Sequence, residues 1–186
     1  MTHGKFIKQI PNMLTLINLS LGLGAILLLI QSDNPYKTLL APVLIMLGAL
    51  SDFFDGFLAR KLNVATALGK QLDSFADIIT FGIAPILLIN YTFRYDSILF
   101  IIIPSLLFMM AAVYRLARYN LHDFNKYFTG LPITAAGIVL TIYCMIHSLW
   151  GTYPHHGFHT EITAVLILML SLMMISKKKV SRIISN

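Results

Sequence analysis

Apolar runs long enough to cross a hydrocarbon layer recur along this chain, with short polar segments between them. No water satisfies the backbone inside a bilayer, so such runs fold as helices. Spans are expected at about 12–30, 38–59, 68–90, 98–114 and 130–149, with a shorter sixth at 161–175. Pro11 opens the first, and Pro85 should kink the third or open its hydrogen-bond ladder. Ahead of Pro11, the stretch His3 to Ile10 carries Lys5 and Lys8 among apolar residues and reads as a short amphipathic helix on an anionic surface. The expected fold class is all-α: a polytopic membrane protein with six transmembrane helices and a short N-terminal amphipathic helix, forming one domain over residues 1–186.

Charge then orients the spans. Only 12% of the residues are charged, about half the fraction of a soluble domain. The net charge of +6 does not point to nucleic acid, because the basic residues gather at span ends instead of lining one face. Twelve of the 14 lysines and arginines fall on the side of the termini, the 60–70 connection and the 115–126 segment; Lys37 and Arg94 fall on the other. That asymmetry places both termini in the cytoplasm, in a multi-pass protein of the cell membrane. No small-residue cleavage site closes the basic amino-terminal segment, so it is expected to be retained. The single cysteine, Cys144, allows no internal disulfide and reads as a packing residue. His155, His156 and His159 in an outer loop lack a partner carboxylate at ligand spacing and read as solvated.

Against this apolar background the acids stand out. Asp52, Asp55, Asp73 and Asp77 are half of the 8 acidic residues. Spacings of three and four put each pair on one helical face. Arg60, Lys61 and Lys70 mark the polar connection between the two runs, so the helices are antiparallel neighbours and both pairs end one to two turns inside them. Four carboxylates at matched depth can hold a divalent cation through hard oxygen ligands, Mg²⁺ or Mn²⁺ rather than Zn²⁺. Gly56, Ala59 and Gly69 leave room for close approach of a backbone or a ligand, and Thr66 serves as a helix cap or a phosphate contact. Asn12, Thr15 and Asn18 share a polar face of the first span, gluing it to its neighbours or facing the site.

Asp52-x-x-Asp55-Gly56-x-x-Ala59-Arg60, eight residues, then Gly69-x-x-x-Asp73-x-x-x-Asp77 resembles the complete signature of the CDP-alcohol phosphotransferases. The resemblance implies attack by an alcohol on the β-phosphorus of a CDP-linked lipid, with CMP leaving. It implies that Asp52, Asp55, Asp73 and Asp77 ligate metal, with two Mg²⁺ or Mn²⁺ ions, and that Asp77 is also the general base. The same resemblance assigns CDP-lipid binding to Asp52, Gly56, Ala59, Arg60, Thr66, Gly69 and Asp73, with Arg60 suited to bidentate pairing with phosphate. A homodimer is implied in the same way. No Ser-His-Asp set and no nucleophile for a covalent intermediate are apparent, so direct in-line transfer is expected.

The flanks narrow the acceptor. Ser74 after the third aspartate, Phe81 to Pro85, Tyr114 to Asn120, Thr129 to Thr134 and the opening Pro11-Asn12 together resemble the integral-membrane phosphatidylserine synthase branch. That resemblance implies CDP-diacylglycerol and L-serine as substrates. Arg115 and Arg118 share a helical face and, with Asn18, are candidates for binding serine or a phosphate; membrane-surface anchoring is the plainer role for the arginines. Another acceptor, glycerol 3-phosphate or inositol phosphate, is the alternative within the enzyme class. Outside it, intramembrane aspartates also mark cation transporters, although no acidic relay here reaches the other face.

Overall fold

The computed structural model describes residues 3–31, 35–93, 99–121, 128–149, 157–176 and 179–180. Its helices are α1 (His3–Ile30), α2 (Pro35–Lys61), α3 (Ala67–Asp77), α4 (Ala84–Thr92), α5 (Leu99–Leu121), α6 (Ile133–Leu149) and α7 (Gly157–Ile175). A π-helical segment, Ile78–Ile83, joins α3 to α4. The stretches Gln9–Ile30, Leu39–Lys61, Ala67–Thr92 and Ile101–Asn120 are long and apolar enough to cross a membrane; Ile133–Ser148 and Thr160–Ile175 are apolar but shorter.

Large apolar side chains face outward along every long helix, among them Met13, Leu27, Leu50, Leu106, Met110, Val165 and Leu172. A water-soluble surface would not carry so much exposed hydrocarbon. Together with the span lengths, it identifies an integral membrane protein. The interior is built from Phe81, Phe108, Ile133, Leu140, Ile167 and Met174, all fully enclosed. Helix α1 packs along α2 and along α3–α4, α6 lies on α2, α4 and the π segment, and α5 pairs with α7.

Three local details depart from the expectations, and a fourth, the opened ladder ahead of Pro85, meets them. Residues 3–10 do not form a separate helix: α1 runs unbroken through Pro11. The third span is three pieces, because Pro85 has no N–H to give the ladder. The ladder widens just ahead of it, where the Ala84 N–H bonds to the Ile79 carbonyl five residues back. The fourth span extends past Tyr114 to Leu121, so Arg115 and Arg118 are helical rather than part of a polar connection. Two-residue strands, β1 (Phe128–Thr129) and β2 (Lys179–Val180), pair antiparallel between α5 and α6 and after α7. The loop histidines His155 and His156 and the outer loop residue Arg94 lie outside the described residues.

The β pair belongs to a backbone clamp. Leu131 donates its N–H to the Met173 carbonyl at 3.0 Å, satisfying an otherwise orphan group at the end of α7. Gly130, at φ 80°, brings its Cα against the carbonyls of Met174 and Ser176, where a side chain would collide.

Candidate active site

The connection between the acid-bearing helices is set by backbone hydrogen bonding. Helix α2 ends in a Schellman motif: Val64 N–H bonds to Ala59 O at 3.1 Å and Asn63 N–H to Arg60 O at 3.3 Å. Asn63 takes the left-handed conformation that the motif requires, φ 51°. Three residues on, Thr66 caps α3, its Oγ1 accepting the Gly69 N–H at 3.0 Å. The cap is thus the role this structure gives Thr66. Across this short turn the aspartates of the two helices come together.

Carboxylate oxygens of Asp52, Asp55 and Asp73 all lie within 4.8 Å of one another. Asp52 is within hydrogen-bond reach of both Asp73 and Asp77. Asp55 and Asp77 are 4% and 7% exposed, so bulk water does little to screen this cluster. Neighbours orient two of the acids. Thr15 on α1 reaches Asp55 Oδ2 at 2.8 Å, with the Pro11 carbonyl 3.0 Å away, and Thr134 on α6 reaches Asp52 Oδ2 at 3.4 Å. Oδ1 of Asp73 and Oδ1 of Asp77 are enclosed with no hydrogen-bond partner.

That arrangement fits a metal ion. Buried carboxylates at such separations repel one another, and orphaned oxygens are costly. A hard divalent cation removes both costs at once, and three carboxylate oxygens are a donor set it accepts. Asp52, Asp55 and Asp73 can hold it, with Asp77 beside them.

The remaining expected residues sort by position. Gly56 and Ala59 line the half-buried flank of α2, and the guanidinium of Arg60 folds back along Gly56, 3.5 Å from where a Cβ would stand. Gly69 faces Asn12 of α1 so closely that a Cβ would lie 2.8 Å from its Oδ1. Arg115 on α5 is 7% exposed and has a buried Nε without a partner. Arg118 is turned elsewhere: its Nη1 donates to Ile175 O at 3.4 Å and its guanidinium lies 5.8 Å from the Tyr114 ring centre.

Asn18 is fully buried one turn deeper than the acids, not at the mouth of the site. Its carbonyl accepts from Thr80 Oγ1 at 3.1 Å, and its side-chain Oδ1 faces Gly48. Thr134 was not among the expected site residues. It closes the Thr129 to Thr134 stretch that carries the resemblance, but nothing in its spacing ties it to Asp52.

The comparisons with known proteins agree with this geometry. Residues 8–180 match CDP-alcohol phosphatidyltransferase. A CDP-diacylglycerol–serine O-phosphatidyltransferase of Bacillus subtilis is 38% identical over 137 residues, 73% of this chain and 75% of its own length. The archaetidylserine synthase of Methanothermobacter thermautotrophicus is 34% identical over 181 residues, 94% of this chain and 70% of its own. A CDP-diacylglycerol–glycerol-3-phosphate 3-phosphatidyltransferase of Rickettsia bellii is 35% identical over 86 residues, 46% and 47% of the two chains. A signature of acids converging from two adjacent helices, on a chain matched over nearly its whole length, leads to one conclusion: this protein belongs to the CDP-alcohol phosphatidyltransferase family.

Proposed function

We propose that the protein transfers the phosphatidyl group of CDP-diacylglycerol to the hydroxyl of L-serine and releases CMP. The observation that carries this reading is the convergence of Asp52, Asp55 and Asp73 within 4.8 Å, beside a buried Asp77. Serine is favoured over glycerol 3-phosphate because likeness to the serine and archaetidylserine enzymes extends over 73% and 94% of the chain, against 46% for the glycerol-phosphate enzyme.

In this reading Asp52, Asp55, Asp73 and Asp77 hold Mg²⁺ or Mn²⁺, as two ions. When bound, the cations neutralise the pyrophosphate and the charge that develops on departing CMP. Arg60 pairs with phosphate at the cytoplasmic end of α2, and the small Gly56 and Ala59 leave room for the nucleotide. Thr66 and Gly69 border the same pocket. Asp77 takes the proton of the serine hydroxyl as that oxygen bonds to the β-phosphorus, and the bond from phosphorus to the CMP oxygen breaks. Arg115 receives the serine carboxylate, while Arg118 and Asn18 support the fold around the site.

All 186 residues form one domain in this reading, with six spans, both termini and the acids at the cytoplasmic face, and two copies forming a homodimer. The two shorter apolar helices cross a bilayer if loop residues extend them or the membrane thins locally.

Labelled serine supplied to the purified protein in mixed micelles should enter lipid only when CDP-diacylglycerol and Mg²⁺ or Mn²⁺ are both present. Lipid labelling without release of CMP, or accumulation of a phosphatidyl-enzyme, would overturn direct transfer. Incorporation of glycerol 3-phosphate in place of serine would overturn the acceptor assignment.

A further inference from the structure

The acid-bearing α3 and the arginine-bearing α5 are joined at their cytoplasmic ends through side chains. Asn120, at the end of α5, donates from Nδ2 to Ser74 Oγ at 2.9 Å. Ser74 directly follows Asp73, and its hydroxyl in turn donates to the Lys70 carbonyl at 3.0 Å. Lys70 reaches back, its Nζ 3.4 Å from the carbonyls of both Tyr119 and Asn120 and 5.1 Å from the centre of the Tyr119 ring. A cation on the last carbonyls of a helix is also where the helix dipole favours it. Deeper in the bundle, Arg115 on α5 and Asp77 at the end of α3 are both buried, with Nε of the first and Oδ1 of the second lacking a partner.

We infer that the Ser74–Asn120 hydrogen bond, supported by Lys70, sets the separation of α3 and α5 and so the width of the pocket in which the acceptor alcohol lies between Asp77 and Arg115. Ser74 and Asn120 are positioning residues: they touch neither metal nor phosphorus, and they act through the two groups that grip the alcohol. The inference rests on the reading of Asp77 and Arg115 given above.

The test is a double-mutant cycle of Ser74→Ala and Asn120→Ala in the full-length protein, with Ser74→Thr as the conservative variant that keeps the hydroxyl. Each alanine variant should raise the serine KM about fivefold or more, with the CDP-diacylglycerol KM and the Mn²⁺ activation midpoint within about twofold of wild type. The double variant should be no worse than the more impaired single one, and Ser74→Thr should restore the serine KM. Melting temperature in detergent is followed for each, and a variant that does not fold is replaced by Asn120→Asp, which keeps size but removes the donating amide. Additive effects, or a parallel rise in both KM values, would overturn the inference. Should wild-type protein use another alcohol, the serine assignment fails by itself. The same cycle read on that alcohol's KM still decides the role of Ser74 and Asn120.

Discussion

At the scale of single residues, the acids depend on neighbours that hold them. Asp52→Asn and Asp73→Asn should each lower kcat by about a hundredfold or more, because an amide is a weaker hard-cation ligand than a carboxylate. Residual turnover near wild type in either would remove the metal reading. Thr15→Val tests orientation apart from ligation. It leaves Asp55 in place but without its 2.8 Å partner, and should raise the Mn²⁺ concentration needed for half-activation by about tenfold while protein stability changes little. The four acids and their shared faces were legible in the spacing alone, because three- and four-residue intervals on a helix have one geometric meaning. Thr134 was not, since its hydroxyl meets Asp52 across 82 positions of sequence. The pairing of Arg115 with Arg118 was legible only as a shared face. Burial separates them: Arg115 is enclosed, and Arg118 bonds to the end of α7.

Between elements, glycine contacts decide how closely helices approach. A Cβ on Gly137 of α6 would stand 2.5 Å from the Phe81 carbonyl, on the π segment ahead of Pro85. Gly137→Ala should therefore cost about 1–3 kcal/mol, read as a lower melting temperature in detergent, since backbone cannot yield as a side chain can. Asn63 offers a cleaner comparison. Asn63→Gly should be tolerated and Asn63→Val should destabilise by about 1–2 kcal/mol, because only the former accepts φ 51° without strain. Equal stability of the two would remove the claim that the left-handed turn sets the α2–α3 connection. The turn was legible as a polar break, and Pro85 as a disturbance. That the disturbance is a widened ladder, and that it sits directly after Asp77 against α1 and α6, is seen only in the structure.

For the molecule as a whole, the proposed orientation rests on where the lysines and arginines fall. Single cysteines introduced at Val64 and at Thr152 in a Cys144→Ala background should be labelled from opposite sides of sealed vesicles, the first from the cytoplasmic side. Labelling of both from one side would sink the proposed arrangement of six spans. The sequence by itself determined that the chain is helical and membrane-embedded, and that four aspartates gather near one face. Hydrophobic length, helical period and charge asymmetry are local properties, which explains why no fold was needed to read them. Only the tertiary structure decided which neighbours hold those aspartates and how α5 is tied to α3. Those are contacts between segments 40 to 82 residues apart, made where helices happen to cross. A chain's local pattern says which face is buried, but not what it is buried against.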